Sequence, residues 1–194
     1  SFYPFNTQYS SDPKLLNIDM RNINANVFQA STTVYLSDLG NESPKVVNSI
    51  MENIYYSNKN IISHLGSSEQ KIRLDLLGLF VNNEMFYFHT SMKNSSQVSF
   101  EVEYIKFKIV DKKAAKLFPV QEIEIKPVRT FNDIHIVKGK STLRSIYVLP
   151  KFTIPGDKVL IIELIEKDGG RHQHIQIENS DIVNAKPINK LDIK

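Results

Sequence analysis

The chain of 194 residues suits one domain of moderate size with an accessory segment. Its hydrophobic fraction of 41% is enough for a packed core, and the absence of cysteine excludes disulfides, cysteine metal sites and thiol nucleophiles. The formal net charge of +3 is too small to indicate a nucleic-acid partner, and no run of about 18 apolar residues predicts a membrane-spanning helix.

The N-terminal part of the chain shows little regular pattern. Residues 1–10 predict a short aromatic strand, which Pro4 weakens because proline cannot donate to a sheet ladder. Residues 11–42 are polar and rich in asparagine, so we expect a linker or a loosely attached arm. An arm that lies extended on another domain is the alternative.

Residues 43–67 predict one amphipathic helix and a connection. Ser43 suits the N-cap, and Pro44 suits the first helical position, where a missing N–H costs nothing. An apolar stripe then recurs at helical spacing, with two tyrosines, Tyr55 and Tyr56, beside it. The stripe either docks on a partner or packs on its own domain. Its members are Val47, Ile50, Met51 and Ile54.

From residue 70 onward the apolar period changes from 3.6 to 2, which is typical of strands. Residues 71–81 and 84–92 flank Asn82-Asn83, a pair that tolerates positive φ and predicts a hairpin turn. Along 97–111 the alternation changes parity after Tyr104, which predicts a β-bulge inside one strand.

Further strands are predicted towards the C-terminus, at 119–128, 141–149, 158–166 and 171–178. The third of these is almost continuously apolar, as in a strand buried on both faces, and the Gly169-Gly170 pair predicts the turn after it. The fold class is therefore mainly β. We expect an antiparallel β-sandwich, immunoglobulin-like or Greek-key, over residues 68–188, preceded by the helix and followed by a tail at 189–194.

No catalytic constellation is found among the motifs. The glycine pair lacks the lysine of a phosphate loop, and no nucleophile elbow is present, so we expect neither an enzyme nor a cofactor. His172 and His174 alternate on one predicted strand face and could hold a metal if a third ligand joined them. Candidates for that ligand are His89, His135 and Glu163.

A lysine-rich stretch follows the predicted bulge. Lysines on a sheet face or edge commonly guard against aggregation, and an acidic partner surface is the main alternative. Contact with phosphate or DNA is a weaker one, and it would make binding fall steeply with salt. The stretch contains Lys106, Lys108, Lys112, Lys113 and Lys116.

Several stretches resemble the TraN family of Bacteroides-type conjugative transposons. The most specific are IVDKKAAK at 109–116, KFTIP at 151–155 and EKDGGRH at 166–172, and the similarity extends over nearly all of the chain. At Leu117-Phe118-Pro119 the sequence departs from the more polar and basic pattern of that family. An apolar pair there would change the contact that this loop makes.

The resemblance implies a function in conjugation. TraN-like proteins are exported to the periplasm and the outer membrane, and they resemble the β-rich outer-membrane core subunit of type IV secretion systems. Residues 1–10 would then be the last strand of a truncated N-terminal β domain. The implied partners are other transfer-apparatus proteins and, within the assembled complex, further copies of the chain. The family offers no catalytic residues.

Two functions remain open. The first is a structural subunit of a transfer apparatus that binds by strand addition or through the helix. The second is a ligand-binding sandwich for glycans or a metal ion. The side chains that we single out for protein binding are Val47, Ile50, Met51, Ile54, Lys106, Lys108, Leu117 and Phe118.

Overall fold

The structure, a computed structural model, describes residues 39, 42–112 and 122–190. The predicted N-terminal strand, almost all of the predicted arm, and the Leu117-Phe118 pair lie outside the described residues. The described part is mainly β, with two antiparallel sheets and a helix that precedes them. The predicted fold class is confirmed.

The first sheet has the strand order β1-β2-β3-β8-β6, and the two-residue strand β11 pairs with β2 in parallel. β2 and β3 form the predicted hairpin, whose turn is shifted by one residue so that Asn83 takes the positive φ of 47°. The strands are β1 (Gly66–Glu69), β2 (Ile72–Asn82), β3 (Met85–Asn94), β6 (Arg129–Phe131), β8 (Ser141–Pro150) and β11 (Lys186–Pro187).

The second sheet has the order β10-β9-β4-β5, and β7 pairs with the start of β4. The register between β4 and β9 shifts between Val102 and Tyr104, so the predicted bulge is confirmed. The strands are β4 (Phe100–Asp111), β5 (Ile123–Glu124), β7 (Ile136–Val137), β9 (Lys158–Glu166) and β10 (Gln173–Ile177).

Several elements differ from the sequence prediction. The predicted strand over 119–128 is, within the described residues, only the two-residue β5, because exposed charges there give no apolar face to bury. β1 and β11 were not predicted, and neither was the short helix α2 (Asn179–Val183), where Glu178 and Asp181 form a reciprocal capping box. The residues after it, Ile188–Lys190, form a 3-10 turn.

The core lies between the two sheets and explains why they pack face to face. Phe107 of β4 crosses the interface and meets Phe88 and Tyr147 of the first sheet, at ring-centroid distances of 5.3 and 5.5 Å. Inward-facing residues of β2, β9 and β10 complete the same cluster. β9 is also apolar on its outer side, where Val159 and Ile161 are buried with Val110.

Helix α1 (Pro44–Ser57) covers the outer face of the first sheet. Its stripe is buried against Phe80, Tyr87 and Val148, and it ends at Asn58, which takes a left-handed conformation. Of the two alternatives for the stripe, the described structure has the one in which it packs on its own domain, because its own sheet already covers it. The stripe residues Val47, Ile50, Met51 and Ile54 are between 0 and 8% exposed.

Side-chain hydrogen bonds join the two sheets along one side of the sandwich. The β1 and β10 edges approach each other, and Gln173 at the start of β10 is buried between them. Ser67 Oγ donates to Gln173 Oε1 at 2.9 Å, and Gln173 Nε2 donates to the carbonyl of Glu69 at 3.3 Å. We call this contact the β1–β10 seam.

No helix of the described residues is long and apolar enough to cross a membrane.

Candidate protein-interaction surface

Five side chains from distant parts of the chain meet at the C-terminal end of α1. The rings of Tyr55 and Phe131 lie edge to face with centroids 5.2 Å apart, and Tyr56 lies 5.4 Å from Tyr55 and 6.4 Å from Phe131. The Arg144 guanidinium lies over the Tyr55 ring at 4.5 Å. Together with Asn132 we call these residues the tyrosine cluster.

Backbone bonds hold the tyrosine cluster in place. Arg144 Nη1 donates to the carbonyl of Tyr55 at 2.9 Å, which anchors the helix end to β8. Asn132 follows β6 with a positive φ of 56°, and its Nδ2 donates to the Arg144 carbonyl at 2.6 Å and to the Tyr55 hydroxyl at 3.3 Å. The cluster is therefore rigid before any partner arrives, which lowers the entropic cost of binding.

The exposed aromatic residue of the tyrosine cluster is Tyr56. Its side chain is 73% exposed, although it stands beside two aromatic rings that are held in place. Tyrosine and arginine are enriched among the residues that dominate binding energy at protein interfaces, because they offer a large area with few rotatable bonds. The tyrosine cluster is thus the part of the described surface best suited to contact another protein.

Two polar side chains are buried without partners between α1 and the first sheet. Tyr87 and His89 lie on the helix-facing side of β3 and are fully buried. The Tyr87 hydroxyl and both ring nitrogens of His89 have no hydrogen-bond partner among the described residues. Burial, and then the nearby Arg144 charge, lower the pKa of His89 to about 4.

The pKa of His89 predicts a pH-dependent stability. The imidazole is neutral in the folded chain, whereas the unfolded chain binds a proton below about pH 6.5, so stability is lost as pH falls from about 6.5 to about 4. We expect a loss of about 2–3 kcal/mol over that window. Urea unfolding at steps of about half a pH unit will measure it.

The control for this pH prediction is His89→Leu, which should flatten the dependence between about pH 6.5 and 4.5. The pKa of Glu166 is held below its usual range by the hydrogen bond from Arg171, and the pKa of Glu178 by the hydrogen bond from Lys112. The stability that these carboxylates contribute is lost only as pH falls below the ordinary pKa of glutamate, 4.5, which is the lower limit of the compared range. An unchanged slope in the leucine variant would contradict the assignment to His89.

A comparison with known proteins covers most of this fold. The family model described as "Domain of unknown function (DUF4138)" matches residues 44–187, from the first residue of α1 to the end of β11. The chain belongs to the DUF4138 family. That family is found in conjugative transposon TraN-like proteins. No curated protein matches the sequence significantly.

Of the predicted lysines, Lys106 and Lys108 lie on the outer face of β4 in this DUF4138 domain, whereas Lys113 and Lys116 lie outside the described residues. Lys108 Nζ bonds to Glu122 at 2.9 Å and to Glu163 at 3.1 Å. Although burial lowers the pKa of Lys108, those two carboxylates raise it above its ordinary value. Lys106 Nζ lies 4.3 Å from the centre of the Tyr104 ring. Lys108 is therefore engaged within the domain, which leaves its charge poorly placed to attract an acidic partner.

The predicted histidine pair does not gather a third ligand. His174 pairs with Glu163 across β10 and β9, and His172 Nδ1 accepts a hydrogen bond from the backbone N–H of Glu166 at 3.2 Å. Among the described residues no group of three or more histidine, aspartate or glutamate side chains could hold a metal ion. The contact of His172 with the Glu166 backbone helps to hold the β9–β10 connection, and the sequence did not predict it.

The motif EKDGGRH forms the turn between β9 and β10 in the DUF4138 domain, and contacts of Arg171 hold this turn in place. Arg171 is ion-paired with the buried carboxylate of Glu166, and its Nη2 donates to the carbonyl of Ser99 at 2.7 Å. Its guanidinium also lies 5.3 Å from the centre of the Phe100 ring. A Cβ at Gly169 would collide with the Glu166 side chain and displace its carboxylate, so glycine suits this position. We call the Glu166–Arg171 pair and its contacts the β9–β10 clasp.

Proposed function

We propose that the chain is a non-enzymatic assembly subunit of TraN type in a conjugative transfer apparatus, and that it acts through protein–protein contacts. The observation that carries this proposal is the match to the DUF4138 family, which spans the helix and nearly the whole sandwich. The resemblance of IVDKKAAK, KFTIP and EKDGGRH to TraN supports the finer assignment. It also supports export to the periplasm, at the outer membrane.

The contact surface in this proposal is the tyrosine cluster. A rigid, partly exposed group of two tyrosines, a phenylalanine and an arginine has the composition of an interface hot spot. The apolar stripe of α1 then acts indirectly, because its burial fixes the helix end that presents Tyr55 and Tyr56.

Tyr56→Ala should separate assembly from folding. We expect recovery of other transfer proteins with the tagged subunit, and the frequency of element transfer, to fall about tenfold or more, as for loss of an interface hot spot. Because Tyr56 is 73% exposed, the free energy of unfolding should change by no more than about 0.5 kcal/mol. Cross-linked co-purification from element-bearing cells and a mating assay measure the effect.

Val183→Ala is the matched control, because Val183 is 71% exposed on α2 and lies outside the tyrosine cluster. It should leave recovery and transfer unchanged. Recovery of the subunit alone, with normal transfer after its deletion, would overturn the proposal. Binding on a glycan array that is lost with Tyr56→Ala would favour the ligand-binding function instead.

A further inference from the structure

A gap interrupts the pairing along the outer edge of β4. At its start, Phe100 and Glu101 pair with β7, and the N–H of Val102 donates to the carbonyl of His135 at 2.8 Å. Towards the C-terminal end of β4, the carbonyl of Phe107 accepts a hydrogen bond from the N–H of Ile125 at 2.8 Å. The next two residues of β4, Lys108 and Ile109, pair with β5. Between Val102 and Phe107, at the bulge, no described strand pairs with this edge.

The backbone of Ile105 points into this gap. The carbonyl of Phe107 faces away from β9, because it bonds to Ile125 on the other side. Residues two apart in a regular strand direct their backbone groups the same way, so the N–H and C=O of Ile105 also face away from β9. No described residue bonds to them there. An unpaired edge of this kind is a template for another extended segment.

A cavity of about 290 Å³ opens at the same place. That volume is at the lower end of the range for ligand pockets, enough for one side chain and the backbone that carries it. Among its lining residues Ile134 and Tyr147 are buried, at 7% and 3% exposed, and Val102 and Ile105 are half-buried. Burial raises the pKa of Tyr147 to about 12, so its phenol stays uncharged.

The residues that line the cavity carry a net negative charge, and Lys106 Nζ stands beside them without lining it, 4.3 Å from the centre of the Tyr104 ring. Glu103 and Asp133 contribute two exposed carboxylates. His135 Nε2 lies 3.7 Å from Asp133 Oδ2, and an imidazole adds at most one positive charge. The rim therefore contrasts with the chain as a whole, whose formal net charge is +3. A cationic side chain is the complement that this rim attracts.

We propose that the gap beside the β4 bulge binds an extended segment of a partner protein that places a lysine or arginine side chain in this cavity. The segment's backbone pairs with Ile105, its basic side chain lies between Glu103 and Asp133, and its aliphatic stem packs towards Tyr147. The site shares no residue with the tyrosine cluster, although its Thr130 and Asp133 flank Phe131 and Asn132 in the chain. Binding here does not depend on membership of a conjugation apparatus.

The test uses the full 194-residue chain and short capped peptides. The probes are Thr-Val-Lys-Val-Thr, the same peptide with glutamate in place of lysine, and the lysine peptide methylated on its central backbone nitrogens. Amide chemical shifts of the labelled protein report where each peptide binds. We expect the lysine peptide to shift the amides of Ile105 and its neighbours, with binding that weakens as salt rises. The other two peptides should bind about tenfold more weakly or not at all.

The paired substitution Glu103→Gln and Asp133→Asn should weaken binding of the lysine peptide by about tenfold or more. Both side chains are exposed, so the thermal melt should not change. Glu101→Gln, on the same strand but outside the cavity, is the control. Equal binding of the lysine and glutamate peptides would overturn the proposal, and so would shifts that map elsewhere. A concentration-dependent shift of Ile105 without peptide would identify a second copy of the chain as the occupant and would also overturn it.

Discussion

Arg171→Met is expected to lower the free energy of unfolding by about 3–4 kcal/mol, because it leaves a buried carboxylate unpaired. The Glu166 side chain is 8% exposed, and Arg171 provides its ion pair. The substitution also removes the bonds to the Ser99 carbonyl at 2.7 Å and to Ser96 Oγ at 3.2 Å, which attach the β9–β10 turn to the segment before β4. Methionine keeps much of the stem and its packing, so the measured loss reports the ion pair and hydrogen bonds of the guanidinium. Urea unfolding at about pH 7 gives the value.

The second substitution of the β9–β10 clasp distinguishes pairing from packing. Glu166→Gln in the Arg171→Met background should recover part of the loss, because the amide has no charge to leave unpaired. Arg73→Met is the control, since Arg73 is 53% exposed and its pair with Asp75 should contribute no more than about 0.5 kcal/mol. If Arg171→Met and Arg73→Met lower the free energy of unfolding equally, the β9–β10 clasp does not stabilise the fold.

Met51→Ala is expected to lower the free energy of unfolding by about 2–4 kcal/mol. Met51 is 2% exposed and belongs to the cluster that joins α1 to the outer face of the first sheet. Truncation leaves a cavity under the helix, where the sheet side is fixed by the hairpin of β2 and β3. Thermal and urea unfolding of the full chain measure the loss.

The control for Met51→Ala is Val46→Ala on the same helix, because Val46 is 45% exposed. Its effect on stability should be about 0.5 kcal/mol or less. This pair of variants also decides between the two predicted uses of the helix. A stripe that served a partner would make Met51→Ala lose partner binding while leaving the isolated chain as stable as the wild type, contrary to our expectation.

The periodic parts of the fold could be predicted from the sequence. Alternation marked β2, β3 and β4, and the change of parity after Tyr104 marked the bulge, because both follow from the two-residue repeat of a strand. An almost continuous apolar run marked β9. α1 was also evident. Whether its stripe faced its own sheet or a partner could not be decided, because the same spacing of apolar residues serves both.

The candidate site could not be predicted, because its members are brought together by tertiary structure. Tyr55 and Arg144 are 89 positions apart, and they meet only once α1 lies on β8. Arg171 gave no signal beyond its place in a motif, since two of its partners are backbone carbonyls and any residue supplies those. β1 was not predicted for a similar reason. Its sequence, GSSE, has no apolar alternation, and the strand forms because its backbone pairs with β2.

The β1–β10 seam has a consequence for how copies of the chain can associate. Gln173 bonds across both strands and closes that side of the sandwich, whereas the opening beside the β4 bulge is only a few residues long. A fibre can grow by strand pairing only if each molecule has two long free edges, one for the preceding molecule and one for the next. The strands at the far ends of the two described sheets, β6 and β5, are only three and two residues long. A strand added at the opening beside the bulge therefore finds no long free edge next to it from which the sheet could grow. The domain can bind an extended segment of another protein without becoming a template for polymerisation.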